Sequence, residues 1–131
     1  MKTVARRLTD GQDLLGEIQK IVHDYDIKAG VLLSAVGSLW KSTIRLPVID
    51  GNVKYIYPEN VEIDSLHGTV SKSGCHLHIS VSDSEGKVFG GHLKQGCTVR
   101  TTCELVIGIL DGTTFTREQD PNTGFDELVI R

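Results

Sequence analysis

The sequence has little of anything that marks a membrane, fibrous or disordered protein. Only 3 of 131 residues are proline, and aromatic residues make up 5%. No stretch approaches the roughly 20 apolar residues that cross a bilayer, and the N-terminus lacks the apolar block of a signal peptide. A content of 39% hydrophobic and 24% charged residues is typical of globular proteins. We therefore expect a single domain over residues 1–131, in the cytoplasm and without a membrane partner.

Positive charge is also scarce. The chain has 14 basic and 17 acidic residues, a formal net charge of -3, and no basic run longer than Arg6-Arg7. Nucleic-acid affinity depends on lysine and arginine side chains that displace counterions. DNA remains a partner to consider, but the charge does not support it.

Cysteine pairs and enzyme signature motifs are absent as well. Three cysteines, Cys75, Cys97 and Cys103, form no C-x-x-C pair, and without an export signal we expect reduced thiols. The glycine-rich nucleotide motifs, the serine-hydrolase elbow and the H-E-x-x-H motif are all missing. The standard nucleotide-binding and hydrolase classes therefore have no support.

One segment near the N-terminus has the pattern of an amphipathic helix. Thr9 and Gln12 have the spacing of a capping box, which predicts a helix start. Apolar residues then recur with a period of 3.6 up to about Tyr25, namely Leu14, Leu15, Ile18, Ile21 and Val22. This is the only strong helix that the sequence predicts.

The other segments are short apolar or alternating runs separated by turn residues. They cover residues 3–8, 30–36, 43–49, 61–70, 76–83, 87–93, 97–110 and 125–131. One helix with many strands, without alternation of the two, predicts an α+β fold: an antiparallel β-sheet with one main flanking helix.

The run 104–110 is apolar on both faces, because Leu105, Ile107 and Ile109 alternate with Val106 and Leu110. A single helix shields only part of one face of a sheet. We expect the remaining apolar surface to meet another subunit in a closed homo-oligomer. The alternative is cover within the chain by loops 38–60 and 111–124.

Three histidines are predicted to converge on one face of the sheet. The period of two places His76 and His78 on the face opposite Leu77. The three-residue turn 84–86, with glycine last, predicts a hairpin in which His78 lies opposite His92. Opposite side chains have Cβ atoms about 5 Å apart, so the imidazoles can reach a common ion.

Three imidazole ligands with a fourth position open are typical of zinc, although other divalent transition metals also accept imidazole. Gly90 and Gly91 would leave the approach to the ion free of side chains. Glu104 is the best carboxylate for orienting a ligand or transferring a proton. The alternatives are a solvent-facing histidine pair, a β-bulge at the two glycines and a hydrogen-bonded core acid. His67 and His23 fit no cluster.

Six segments together carry a family resemblance: 36–39, 66–70, 76–83, 90–93, 96–99 and 102–106, which read VGSL, LHGTV, HLHISVSD, GGHL, GCTV and TCELV. In this order they resemble the plants-and-prokaryotes conserved (PPC) domain in its stand-alone prokaryotic form, over nearly the whole chain. The resemblance implies an antiparallel sheet with a flanking helix, assembled as a homotrimer. For some prokaryotic members it also implies a metal held by histidines that match His76, His78 and His92.

The resemblance and the residues leave three functions open. Plant relatives join the domain to AT-hook segments, and prokaryotic members are often labelled predicted DNA-binding proteins. This chain has no AT-hook. The first hypothesis is an oligomerisation and partner-binding module with a regulatory role, and the second is direct binding of a DNA duplex. The third is a metal-dependent enzyme or small-ligand-binding protein that uses the three histidines. Enzyme activity is not assigned.

Overall fold

The computed structural model describes all 131 residues, as ten strands and one α-helix. The first half contains β1 (Lys2–Thr9), α1 (Leu14–Asp24), β2 (Gly30–Lys41), β3 (Ile44–Arg45), β4 (Tyr55–Ile56) and β5 (Glu59–Ser71). The second half contains β6 (Gly74–Ser82), β7 (Val88–Leu93), β8 (Thr98–Ile109), β9 (Phe115–Gln119) and β10 (Asp126–Ile130). The helix is too short to span a membrane.

Eight strands form one sheet in the order β1-β8-β2-β5-β6-β7-β3-β4, and β9 pairs with β10 in a separate hairpin. Every pair is antiparallel. The predicted α+β fold with an antiparallel sheet and one main helix is therefore confirmed. The strand order places β6 and β7 together, at a distance from β1 and β8.

The helix begins one turn later than the capping box predicts. Asp13 is the N-cap, and its carboxylate accepts a hydrogen bond from the Gly16 backbone N–H at 2.8 Å. Gln12 does accept from the Thr9 backbone N–H, but Thr9 still belongs to β1. Aspartate is a strong N-cap because its oxygen satisfies an N–H of the first turn that has no partner within the helix. The predicted end near Tyr25 is confirmed, since Tyr25 is the C-cap.

The core lies between this helix and one face of the sheet. The helix buries the stripe Leu14, Ile18, Ile21 and Val22, as the 3.6-residue period predicts. From the sheet, β6 contributes Leu77, Ile79 and Val81, each at most 3% exposed. The alternation along β6 leaves its histidines on the opposite face.

The opposite face is covered only in part. Segment 111–124, predicted as a loop, contains strand β9, and the β9–β10 hairpin lies against β5, where Arg117 donates a hydrogen bond to Thr69. On β2, Leu33 remains 48% exposed and Val36 60% exposed. The hairpin thus borders the histidine side of the sheet and leaves an apolar surface on β2.

Candidate metal centre

The β6–β7 hairpin has the predicted register. The carboxylate of Asp83 accepts hydrogen bonds from two backbone N–H groups of the turn, each at 2.9 Å. Gly86 has φ +79°, a left-handed conformation that glycine adopts without steric cost. His78 therefore lies directly opposite His92, as predicted.

The structure brings the three predicted histidines together. The ring centroids of His78 and His92 are 4.4 Å apart, and those of His76 and His78 are 5.2 Å apart. The rings of His76 and His92 are stacked, with centroids separated by 5.4 Å. One nitrogen from each ring lies within 4.8 Å of the other two.

This donor set fits a transition-metal ion. Bonds from imidazole nitrogen to zinc measure about 2.0–2.1 Å, so ligating nitrogens of a tetrahedral site lie about 3.3 Å apart. Small side-chain rotations suffice to bring nitrogens from within 4.8 Å to that spacing. Three protein ligands would leave a fourth position for water or another ligand.

The electrostatics keep two of the rings in the form that binds metal. Burial lowers the pKa of His92 to about 4, and the positive charge of Arg45 adds to the effect. Burial and the neighbouring His78 lower the pKa of His76. Both rings are therefore neutral at pH 7, and only a neutral imidazole offers a nitrogen lone pair.

Glu104 does not belong to this site within one chain. It lies on β8, opposite Val36 of β2 and Arg7 of β1. Two strands, β2 and β5, separate β8 from β6, and neighbouring strands are about 4.8 Å apart. The prediction that Glu104 orients a ligand or transfers a proton beside the histidines is therefore wrong within one chain. Its side chain is exposed, which also contradicts the alternative of a buried core acid.

The two glycines before His92 lie in a regular ladder, so no bulge forms there. Gly91 pairs with Ile79 and Gly90 with Ser80. A Cβ at Gly91 would lie 2.6 Å from the Arg45 carbonyl oxygen. Gly91 thus permits the close approach of β3 on the core side, and only Gly90 shares the face of the histidines.

Sequence reasoning missed three basic residues beside the histidines. Arg45 lies directly opposite His92 across the β3–β7 pair. Arg117 of β9 borders the same space as His76. His67 lies directly opposite His78 across the β5–β6 pair, with ring centroids 6.2 Å apart. The two-residue turn 72–73 sets the register that pairs His67 with His78, so this position could have been predicted from the sequence. No local sequence pattern predicts that Arg45 and Arg117 lie near the histidines.

A thiolate ligand is not favoured at this centre. Cys75 borders the space next to His76, but burial raises its pKa, so the thiol stays protonated at neutral pH. All three cysteines are free.

The fold and the site define an α+β protein with an antiparallel sheet and a histidine cluster on its open face. The Plants and Prokaryotes Conserved (PCC) domain, the family written PPC above, matches residues 1–111. The chain belongs to this family. This match confirms the family that the sequence resemblance indicated.

Three proteins illustrate the relationship. The bifunctional protein GlmU of Synechococcus sp. (strain JA-3-3Ab) is 42% identical over 124 residues, which cover 95% of this chain and 20% of that protein. The chain thus spans about a fifth of the length of the curated relatives that it matches.

Two solved structures are similar over nearly the whole chain. A hypothetical protein from Salmonella has a TM-score of 0.92 and 37% identity, over 99% of this chain and 93% of that one. The metal-containing protein AF0104 from Archaeoglobus fulgidus has a TM-score of 0.82 and 29% identity, over 98% of this chain and 94% of that one.

Proposed function

We propose that this PCC domain binds a divalent transition-metal ion through His76, His78 and His92, with zinc the ion that the donor set favours. The observation that carries the proposal is the convergence of the three ligand nitrogens within 4.8 Å. A polar, solvent-facing histidine pair would not need a third ring on the neighbouring strand.

Two further observations support the proposal. The lowered pKa of His92 and of His76 removes the competition from protons at neutral pH. The similar Archaeoglobus fulgidus structure is described as a metal-containing protein. The ion would serve as a Lewis acid at its open position.

Metal analysis of the purified full chain tests the proposal. After expression in zinc-supplemented medium, we expect about one ion per chain in the wild type and almost none in a His76→Ala/His78→Ala double variant. His23→Ala is the matched control, because His23 is an exposed histidine on the helix, which packs on the face of the sheet opposite the cluster. A folded, metal-free wild-type protein contradicts the proposal, as does equal metal loss in the control.

We further propose that residues 1–131 form one self-associating domain, assembled as a homotrimer and acting as a partner-binding module. The exposed Leu33 and Val36 on β2 support an apolar contact surface. Phe115 at the start of β9 donates a backbone hydrogen bond to the Lys28 carbonyl, so the last hairpin packs on the rest of the fold. Light scattering should give three times the chain mass of 14.3 kDa, and a mass of one chain contradicts self-association.

The net charge of -3 does not favour a regulatory role that depends on direct duplex binding. A gel-shift titration at two ionic strengths tests this second reading. Absence of a complex at micromolar protein contradicts direct duplex binding.

The free thiols fit a reducing compartment such as the cytoplasm.

A further inference from the structure

A cleft of about 470 Å³ opens beside the histidine cluster and is rich in cations. His76 and His92 line it, and Arg45, Lys94 and Arg117 bring three positive charges to its walls. The acidic residues Asp126 and Glu127 bring two negative charges. Its volume is within the range of about 300–1,000 Å³ typical of small-molecule sites.

The three cations have no carboxylate partner in the chain. None of the four ion pairs of the structure includes Arg45, Lys94 or Arg117. Arg117 donates only to the Thr69 hydroxyl, at 3.0 Å. The Nε of Arg45 is buried and has no hydrogen-bond acceptor at all. Buried donors are normally satisfied. The guanidinium of Arg45 is therefore not neutralised or fully bonded within the chain, and its terminal nitrogens are the ones that could donate to a ligand in the cleft.

The charge of the loaded site calls for an anion. A divalent ion on neutral imidazoles would add two positive charges to three cations and two acids, which leaves the cleft at about +3. The ion would also keep a coordination position open.

The remaining walls indicate an organic anion. Pro47, Val48 and Phe125 give the cleft an apolar portion, which an inorganic phosphate or sulfate would leave unfilled. Arginine binds planar carboxylates with two parallel hydrogen bonds. A carboxylate with a short aliphatic body therefore satisfies the arginines and the apolar wall together.

We propose that this cleft binds a small aliphatic carboxylate, whose oxygens take the open position on the ion and accept hydrogen bonds from Arg45 and Arg117. The inference rests on the proposed metal centre. Arg45 extends from the strand opposite His92, while Arg117 comes from the hairpin beyond the residues that match the family. The two arginines thus border the cleft from different elements of the fold.

Cobalt(II)-loaded protein tests the inference, because the visible spectrum of cobalt reports changes in its ligands without any assay of activity. The probes are isobutyrate, its neutral analogue isobutyramide, and inorganic phosphate. We expect only isobutyrate to change the spectrum and to bind by calorimetry. Arg45→Gln and Arg117→Gln should each weaken isobutyrate binding roughly tenfold or more. Arg6→Gln, which changes an exposed arginine of β1 that does not line the cleft, should not.

The outcomes separate the two proposals. If cobalt binds and isobutyrate changes nothing, the ligand proposal is overturned and the metal centre stands. If no cobalt binds, both are overturned. Equal binding of phosphate, or isobutyrate binding that is indifferent to both arginine variants, overturns the carboxylate assignment. Since Arg45→Gln could unfold the chain, Arg45→Lys provides a second variant, which should retain part of the affinity if the charge is what matters.

Discussion

His78 on β6 lies directly across from His92 on β7, and their ring centroids are 4.4 Å apart. The same row continues to Arg45 on one side and to His67 on the other, through directly paired positions of four neighbouring strands. The side chains of paired residues point to the same face of a sheet. The backbone register therefore aligns the imidazoles of His67, His78 and His92 with the guanidinium of Arg45. The integrity of these ladders therefore controls the site.

Gly68→Ala should disturb the ladder at His76. Gly68 has φ +141°, and an added Cβ would lie 2.0 Å from the His76 carbonyl oxygen. We expect a loss of more than about 2 kcal/mol in the free energy of unfolding, measured with urea, together with weaker metal retention.

Gly86→Ala is the matched control for this steric effect. Gly86 also has a positive φ, +79°, but no atom lies within 4 Å of its added Cβ. Only the backbone strain of about 1 kcal/mol remains, so metal retention should be unchanged. Equal losses in the two variants contradict the steric explanation.

Proton NMR of the metal-free protein should show that His92 titrates with a midpoint near pH 4, below its ordinary pKa of 6.5. Burial is the main cause and the charge of Arg45 the second, so Arg45→Gln should move the midpoint upward. An unchanged midpoint in that variant shows that the guanidinium does not act on the ring.

The same shift affects stability with a definite sign. Between pH 6.5 and about 4 the unfolded chain binds a proton at residue 92 that the folded chain does not. The contribution of neutral His92 to stability is therefore present above pH 6.5 and is lost as the pH falls toward 4. Partial solvent exposure of the ring makes this contribution smaller than the shift alone implies.

The parts of the molecule that follow from local rules were predictable from the sequence. The buried face of α1 repeats every 3.6 residues, and the turn at 84–86 sets the pairing of the strands beside it. Helix, hairpin register and histidine convergence each depend on residues close together in the chain or on one turn.

The remaining features depend on the order of strands in the sheet, which chain order does not reveal. Glu104 was predicted to assist the histidines because it is a carboxylate within an apolar strand, yet that strand, β8, pairs with β1 and β2. Arg45 lies opposite His92 because it belongs to β3, a strand of only two residues. Arg117 borders the cleft because it belongs to β9, a strand in a segment predicted as a loop. Such long-range pairings leave no periodic signal.

Val36→Glu should weaken self-association. Val36 is 60% exposed on β2, directly opposite Glu104 of β8, and a second acidic side chain there would be costly to bury in a subunit contact. Light scattering should show a shift toward the mass of one chain. Val88→Glu is the matched control, because Val88 is 63% exposed but lies on β7. If the masses of both variants equal that of the wild type, β2 is not the contact surface.

Asp13→Ala tests which residue starts the helix. The carboxylate of Asp13 accepts from the Gly16 N–H and, with its other oxygen, from the Gly96 N–H, both at 2.8 Å. Removing both acceptors should lower the free energy of unfolding by about 1–2 kcal/mol in thermal or urea denaturation.

Two further variants sharpen this test. Asp13→Asn, which keeps an oxygen for one of the two bonds, should lose less than Asp13→Ala. Thr9→Ala should have little effect, because the shorter bond from Thr9 to Gln12, at 2.8 Å, comes from the backbone N–H, which alanine retains; only the exposed hydroxyl bond at 3.3 Å is lost. If Thr9→Ala is instead the more damaging change, the capping box predicted from the sequence starts the helix after all, and the cap at Asp13 is wrong. The loop at Gly96 would then need another anchor, since Asp13 holds it next to the helix start.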